Sequence, residues 1–185
     1  EQFNNSAIIS AIIKDNKSVE SLNEGEEAIV VIDKSSFYGE SGGQSGDHGT
    51  LSKNGAQFTV TDTQKQASNA FEHHGIQAKG ALQVGDAVEA SIDQDRRKKI
   101  MNNHSATHLL HEALRQVLGD QVNQKGSLVE SEKLRFDFSH DEVVSRANLD
   151  KVEAIVNQQI LGNTQVITEE TDIKTAKKKG AMALF

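Results

Sequence analysis

Residues 104–108, "HSATH", set two histidines four residues apart. On a helix, both imidazoles would lie on one face, one above the other. That spacing lets two imidazoles ligate one metal ion. His111, seven residues after His104, falls near the same line. Taken alone, H-x-x-x-H also describes ordinary surface or core-edge histidines. A zinc ion takes three or four protein ligands, so His104 and His108 would fill half of a tetrahedral site. Position 105 is Ser, where a zinc protease carries Glu, and this speaks against peptide hydrolysis. His73 and His74 are adjacent on an expected strand and so point to opposite faces. His48 and His140 have no local partner motif. The chain contains no cysteine, so neither a disulfide nor a zinc thiolate can form within it.

A second stretch, "ESGGQSGDHG" at 40–49, carries Gly42, Gly43, Gly46 and Gly49. It fits neither G-x-G-x-x-G nor a P-loop, whose lysine is missing. Two readings stand: close approach of bare backbone to a ligand, or the shaping of a turn. Two basic clusters follow, Arg96, Arg97, Lys98 and Lys99, and later Lys174, Lys177, Lys178 and Lys179. They could touch phosphates or could be solvated helix faces. The net charge of −7 opposes a general attraction to nucleic acid.

Elements must position these residues. The 185 residues hold 25% charged and only 4% aromatic side chains, with no proline. Turns must therefore rest on Gly, Asn and Asp. The first half reads as short strands: "EEAIVVID" (26–33), "AQFTVTD" (56–62) and "AVEASID" (87–93), separated by Asn54-Gly55, Gly75, Gly80 and Gly85-Asp86. That rhythm predicts a small antiparallel barrel. "SAIISAIIKDN" near the N-terminus fits a strand or a short helix. From Asp93 or Asp95, either able to cap, a helix is expected from about Arg96 to near Gly119, with Leu110, Leu114, Val117 and Leu118 as its buried stripe. "GSLVE" and "KLRFDFSH" read as strands and about Asp141 to Leu161 as a helix. "TQVITEE" (164–170) reads as a final strand and "DIKTAKKKG" as a short basic helix. The expected class is α+β, with a barrel subdomain over 1–94 and an α/β core over 95–185. No apolar run approaches the ~18 residues of a membrane-spanning helix and no signal-peptide pattern opens the chain, so the expected location is cytoplasmic.

"SFYGESGGQSGDHGTL", "NNHSATHLLHEALRQVLGDQVNQKGSLV", "KLRFDFSH" and the terminal "KKGAMALF" together resemble the editing domain of bacterial alanyl-tRNA synthetases, in order and spacing, over nearly the whole chain. The H-x-x-x-H element is shared with free-standing alanyl-tRNA editing proteins and with the editing domain of threonyl-tRNA synthetases. The resemblance implies a β-barrel subdomain followed by a zinc-binding α/β editing core. It implies zinc held by His104 and His108 together with a Cys and a His from a later C-x-x-x-H segment, before which this chain stops. It also implies an aminoacylation domain, user of ATP and Mg, that would precede Glu1. The glycine-rich motif, Gly42, Gly43 and Gln44 included, would border the editing pocket and approach the tRNA 3′ end. Arg96, Arg97, Lys98 and Lys99 would touch its phosphates.

The implied reaction is hydrolysis of seryl- or glycyl-tRNA(Ala), with no DNA or membrane partner. A pocket shaped for alanine cannot strongly reject a side chain that adds only a hydroxyl, the limit being roughly 10–200-fold in binding. A second site must then recognise that hydroxyl with a buried polar group that alanine would leave unpaired. Thr107, between the two histidines, and Gln124, in "QKGS", are the candidates. Thr107 could instead bond its own helix backbone, and Gln124 could be a solvated loop residue. A free-standing trans-editing deacylase and a metal-free tRNA-docking module are the alternatives.

Overall fold

A computed structural model describes residues 2–181; the last part of the "KKGAMALF" stretch, from Met182 on, lies outside the described residues. The elements are β1 (Asn4–Lys14), β2 (Lys17–Val19), β3 (Ser21–Leu22), β4 (Glu27–Ile32), β5 (Gly49–Lys53), β6 (Ala56–Lys65), β7 (Phe71–Lys79), β8 (Leu82–Gln83), β9 (Ala87–Ile92), α1 (Gln94–Leu118), β10 (Gln124–Val129), β11 (Leu134–Phe138), α2 (Arg146–Gly162) and α3 (Ile173–Lys178). They form two compact units. The first runs to His104 and includes Leu128–Leu134; the second holds Ser105–Ser127 and the residues from Arg135 onward.

In the first unit, antiparallel strands run β1-β4-β7-β6-β5-β9, and β9 pairs back onto β1. This closes the six-stranded barrel that the short alternating runs predict. Inward residues alternate along the strands, as the two-residue period requires: Phe58 and Val60 on β6, Val88, Ala90 and Ile92 on β9. The stretch left open near the N-terminus is a strand. Its buried residues, Ala7, Ile9 and Ile12, change phase because the pairing with β4 slips between Ile9 and Ala11. Such a bulge puts an extra residue into one strand. Asp15 and Asn16, both at positive φ, turn the chain into β2. His73 is buried on β7 while neighbouring His74 is partly exposed, on opposite faces as expected.

Asp93 starts α1, its carboxylate accepting from the Arg96 amide at 3.0 Å, a standard N-cap contact. In the second unit Ala113, Leu114, Val122 and Val152 form the buried core, with Leu110, Val117, Leu118, Phe136 and Phe138 against it. Two expectations fail here. α2 begins at Arg146 rather than near Asp141, because Ser145 caps it by accepting from the Asn148 amide. Val143, expected on the apolar face, precedes that cap and is 95% exposed. The expected strand at 164–170 has no regular structure; a strand needs a partner for its backbone groups, and among the described residues none pairs with it. The short basic helix is present as α3, capped by Asp172. No helix among the described residues is long and apolar enough to cross a membrane.

Candidate functional site

The glycine-rich stretch resolves into two jobs. Gly42 and Gly43 have φ of 57° and 83° and sit between Ser41 and Gln44, whose backbones exchange hydrogen bonds at 3.2 and 3.0 Å. A two-residue turn with positive φ at both centres is the type I′ pattern, which glycine suits. Gly46 and Gly49 instead approach protein backbone. A Cβ on Gly46 would lie 2.1 Å from the Thr63 carbonyl oxygen, and one on Gly49 would lie 2.0 Å from that of Ser91. For these two glycines the close approach is to β6 and β9 of the barrel.

Beyond the turn, the segment is clamped. The Val129 amide donates to the Gly43 carbonyl at 2.7 Å, and the Val129 carbonyl accepts from the Ser45 amide at 3.0 Å and its hydroxyl at 3.1 Å. Asp47 is buried, accepts from the Tyr38 amide at 2.8 Å and pairs with both Arg97 Nε and Nη2. Arg96 donates to the Gly46 carbonyl at 2.9 Å. Two members of the first basic cluster thus hold the glycine-rich segment to the start of α1. Lys99 forms an exposed pair with Glu132 at 2.9 Å, which raises its pKa, and Lys98 is exposed. A cleft of about 340 Å³ beside the segment is lined by Phe37, Tyr38, Ser41, Lys65, Phe71 and Arg97.

Gln44 links the two sequence motifs. Its side chain is 6% exposed and its Oε1 lies 2.6 Å from His104 Nδ1. One helical turn back from that histidine, Ile100 is buried, and Asn103 donates to the Glu130 carbonyl at 2.7 Å. The contact spans 60 residues of sequence and has no local signal by which it could have been read.

In the second unit Thr107 is 5% exposed and His108 is exposed. His111 is buried, packs on Phe136 at 5.1 Å between ring centroids and faces the Val122 carbonyl at 3.4 Å. It is a core histidine there. Gln124 is half-buried at the first position of β10. His48, in the first unit, has its pKa lowered by burial and by the Arg96 charge.

Imidazole donors suit zinc, and a metal-ligating histidine commonly donates its other ring N–H to a neighbouring acceptor; His104 has such an acceptor, Gln44 Oε1, beside its Nδ1. Among the described residues no three His, Asp or Glu side chains gather where they could hold a metal ion. His104 and His108 are four residues apart in sequence on α1.

The chain is 56% identical over its full length to an alanine–tRNA ligase of Ruthia magnifica subsp. Calyptogena magnifica, of which it covers 21%. It is 57% identical over its full length to one of Vesicomyosocius okutanii, again 21% of that protein. Over 177 residues, 96% of the chain, it is 58% identical to one of Pseudomonas entomophila, 20% of that protein. The chain thus spans about a fifth of the length of the curated relatives it matches. The family model described as tRNA synthetases class II (A) matches residues 1–96. That match takes in more than half of the 185 residues, and the chain belongs to the class II tRNA synthetases (A).

Proposed function

We propose that this chain is the editing region of an alanine–tRNA ligase, with a barrel subdomain over 1–94 and an editing core over 95–185, and that within the whole protein, though not by itself, this region hydrolyses seryl- and glycyl-tRNA(Ala). The observation that carries the reading is the identity to alanine–tRNA ligases over the whole of this chain; the H-x-x-x-H spacing on α1 supports its editing part. The whole protein would join alanine to its tRNA with ATP and Mg elsewhere in its length, in the cytoplasm. His104 and His108 would hold zinc, with two further ligands from outside this chain. Zinc, when bound, supplies positive charge that polarises an ester carbonyl or a bound water.

The remaining work falls to the chain's own groups. The buried Thr107 hydroxyl is suited to meet the serine side chain, and Gln124 to orient the ester. The cleft beside the segment sets Tyr38 and Phe71 next to Lys65 and Arg97, aromatic rings beside positive charge, chemistry suited to single-stranded RNA. Lys98 and Lys99 have the exposure to reach phosphates, whereas Arg96 and Arg97 act there through the segment they hold.

The test is deacylation of seryl-, glycyl- and alanyl-tRNA(Ala) by the full-length protein, with zinc and after its removal. Zinc-dependent loss of the first two esters with the third intact is expected. Equal rates for all three would overturn the editing role, and rates unaffected by removal would overturn the metal. Thr107→Val keeps the side-chain shape and deletes the hydroxyl. It should lower the seryl-to-alanyl rate ratio by about 1 kcal/mol or more and leave glycyl-tRNA less affected. A uniform drop for all three esters would assign Thr107 to the structure of the site instead.

A further inference from the structure

The hydrogen bond between Gln44 and His104 has a chemical direction. A side-chain carbonyl oxygen can only accept, so at 2.6 Å the hydrogen must sit on His104 Nδ1. In a neutral imidazole the other nitrogen then carries the lone pair. Glutamine cannot ionise, so it fixes the ring without adding charge beside a cation.

The frame around this bond is stiff on both sides. Gln44 follows a turn whose two glycines hold positive φ, and its backbone is paired to Ser41. Its neighbours Gly43 and Ser45 bond to the two sides of Val129, which is itself buried. Across the bond, Asn103 ties α1 to the carbonyls of Glu130 and Ser131 at 2.7 and 3.3 Å. None of the clamping bonds uses the Gln44 side chain, whose Oε1 faces His104.

We propose that Gln44 is a positioning residue: it locks His104 as the Nδ1–H tautomer, so that Nε2 is the nitrogen offered to a zinc-type cation. The glycine-rich segment then serves the metal rather than the tRNA ester, through this one amide. The proposal rests on the zinc reading above, and the two can fail separately.

The tautomer is read first, by imidazole ¹⁵N shifts of the metal-free 185-residue chain, at a pH above the range in which imidazole protonates. The wild type should show a protonated Nδ1 and an unprotonated Nε2 on His104, and Gln44→Met should lose that preference. A hydrogen on Nε2 in the wild type would overturn the proposal whatever the metal does. Zinc affinity of the full-length protein, measured by competition with a chromogenic chelator, is read second. Gln44→Met should weaken it about 10–100-fold, the usual effect of removing such a partner, and Gln44→Glu, which keeps an acceptor oxygen, should restore most of the loss. If His104→Ala weakens zinc but Gln44→Met does not, the positioning role is overturned and the zinc reading stands. If His104→Ala leaves zinc affinity unchanged, the zinc reading fails, and with it the proposed offer of Nε2 to metal. The ¹⁵N shifts still decide whether Gln44 sets the tautomer. Unchanged thermal melting of Gln44→Met separates either result from unfolding.

Discussion

The two compact units fold by different means. In the first, each of six strands has two neighbours within the barrel, because β9 returns to β1, and the interior is filled by side chains such as Phe58, Leu51, Leu82 and Ile12, all sealed from water. The second holds most of β10 and β11 and a buried core of Ala113, Leu114, Val122 and Val152. Its helix α2 keeps Leu149 and Ile160 exposed, and Leu161 is 84% exposed. A closed sheet encloses its own core; a two-stranded sheet buries one only where helices cover it. Local stability should therefore differ between the units, and three measurements can break or sharpen that contrast.

Phe58→Ala should have the largest effect. The ring is completely buried in the barrel, and such truncations cost about 3–5 kcal/mol. Amide exchange should accelerate throughout β4, β6, β7 and β9 while α2 keeps its wild-type rates. Equal acceleration in α2 would show that the units open as one and would dissolve the contrast.

Acid should come next. His73 is buried, donates from Nδ1 to the Val30 carbonyl at 2.9 Å and accepts from the Ser35 hydroxyl at 2.8 Å. Burial lowers its pKa from 6.5 to about 4. Between those values the unfolded chain binds more protons than the folded one, so stability falls as pH drops through the window. The loss is on the order of 3 kcal/mol. Urea titrations of the wild type should show this slope, and His73→Gln should lack it. Parallel curves for the two would remove His73 as the cause.

The smallest effect belongs to the cap of α2. Ser145→Ala deletes the oxygen that accepts from the Asn148 amide and should cost about 1 kcal/mol. Exchange should quicken in the first turn of α2 and leave the barrel amides unchanged. A barrel response would mean that the second unit supports the first.

The contrast also marks how far the sequence could be read. Strands β6 and β9 announce themselves by alternation, β4 by a short β-branched apolar run, and α1 by its acid cap and its apolar stripe. β5 does not, since Gly49 and Thr50 offer no apolar alternation; its place comes from Gly49 lying against the Ser91 carbonyl. β1 stayed open between strand and helix because the bulge after Ile9 shifts its buried phase. At 164–170, β-branched residues suggested a strand, but propensity cannot supply the missing partner. In the candidate site, His104, His108 and the glycine-rich motif were visible as motifs. Gln44 meeting His104 and Asp47 meeting Arg97 cross 60 and 50 residues, and contacts at that range follow only from the closed barrel.

That closure also sets a schedule. The first strand of the barrel pairs with its last, Asn4 opposite Ser91, 87 residues later. On a ribosome β2 and β4 can join β1 early, but along Asn4–Ile8 the other edge of β1 waits until β9 has emerged. At about 5–20 residues per second, that edge stands open for several seconds of synthesis. An open strand edge is a template for the wrong neighbour, so the hazard for this protein lies in the interval before β9 arrives. Pairing over so long a loop is also slow to form. Slowing translation once β9 has cleared the ribosome would give it time to find β1 before the rest of the chain follows.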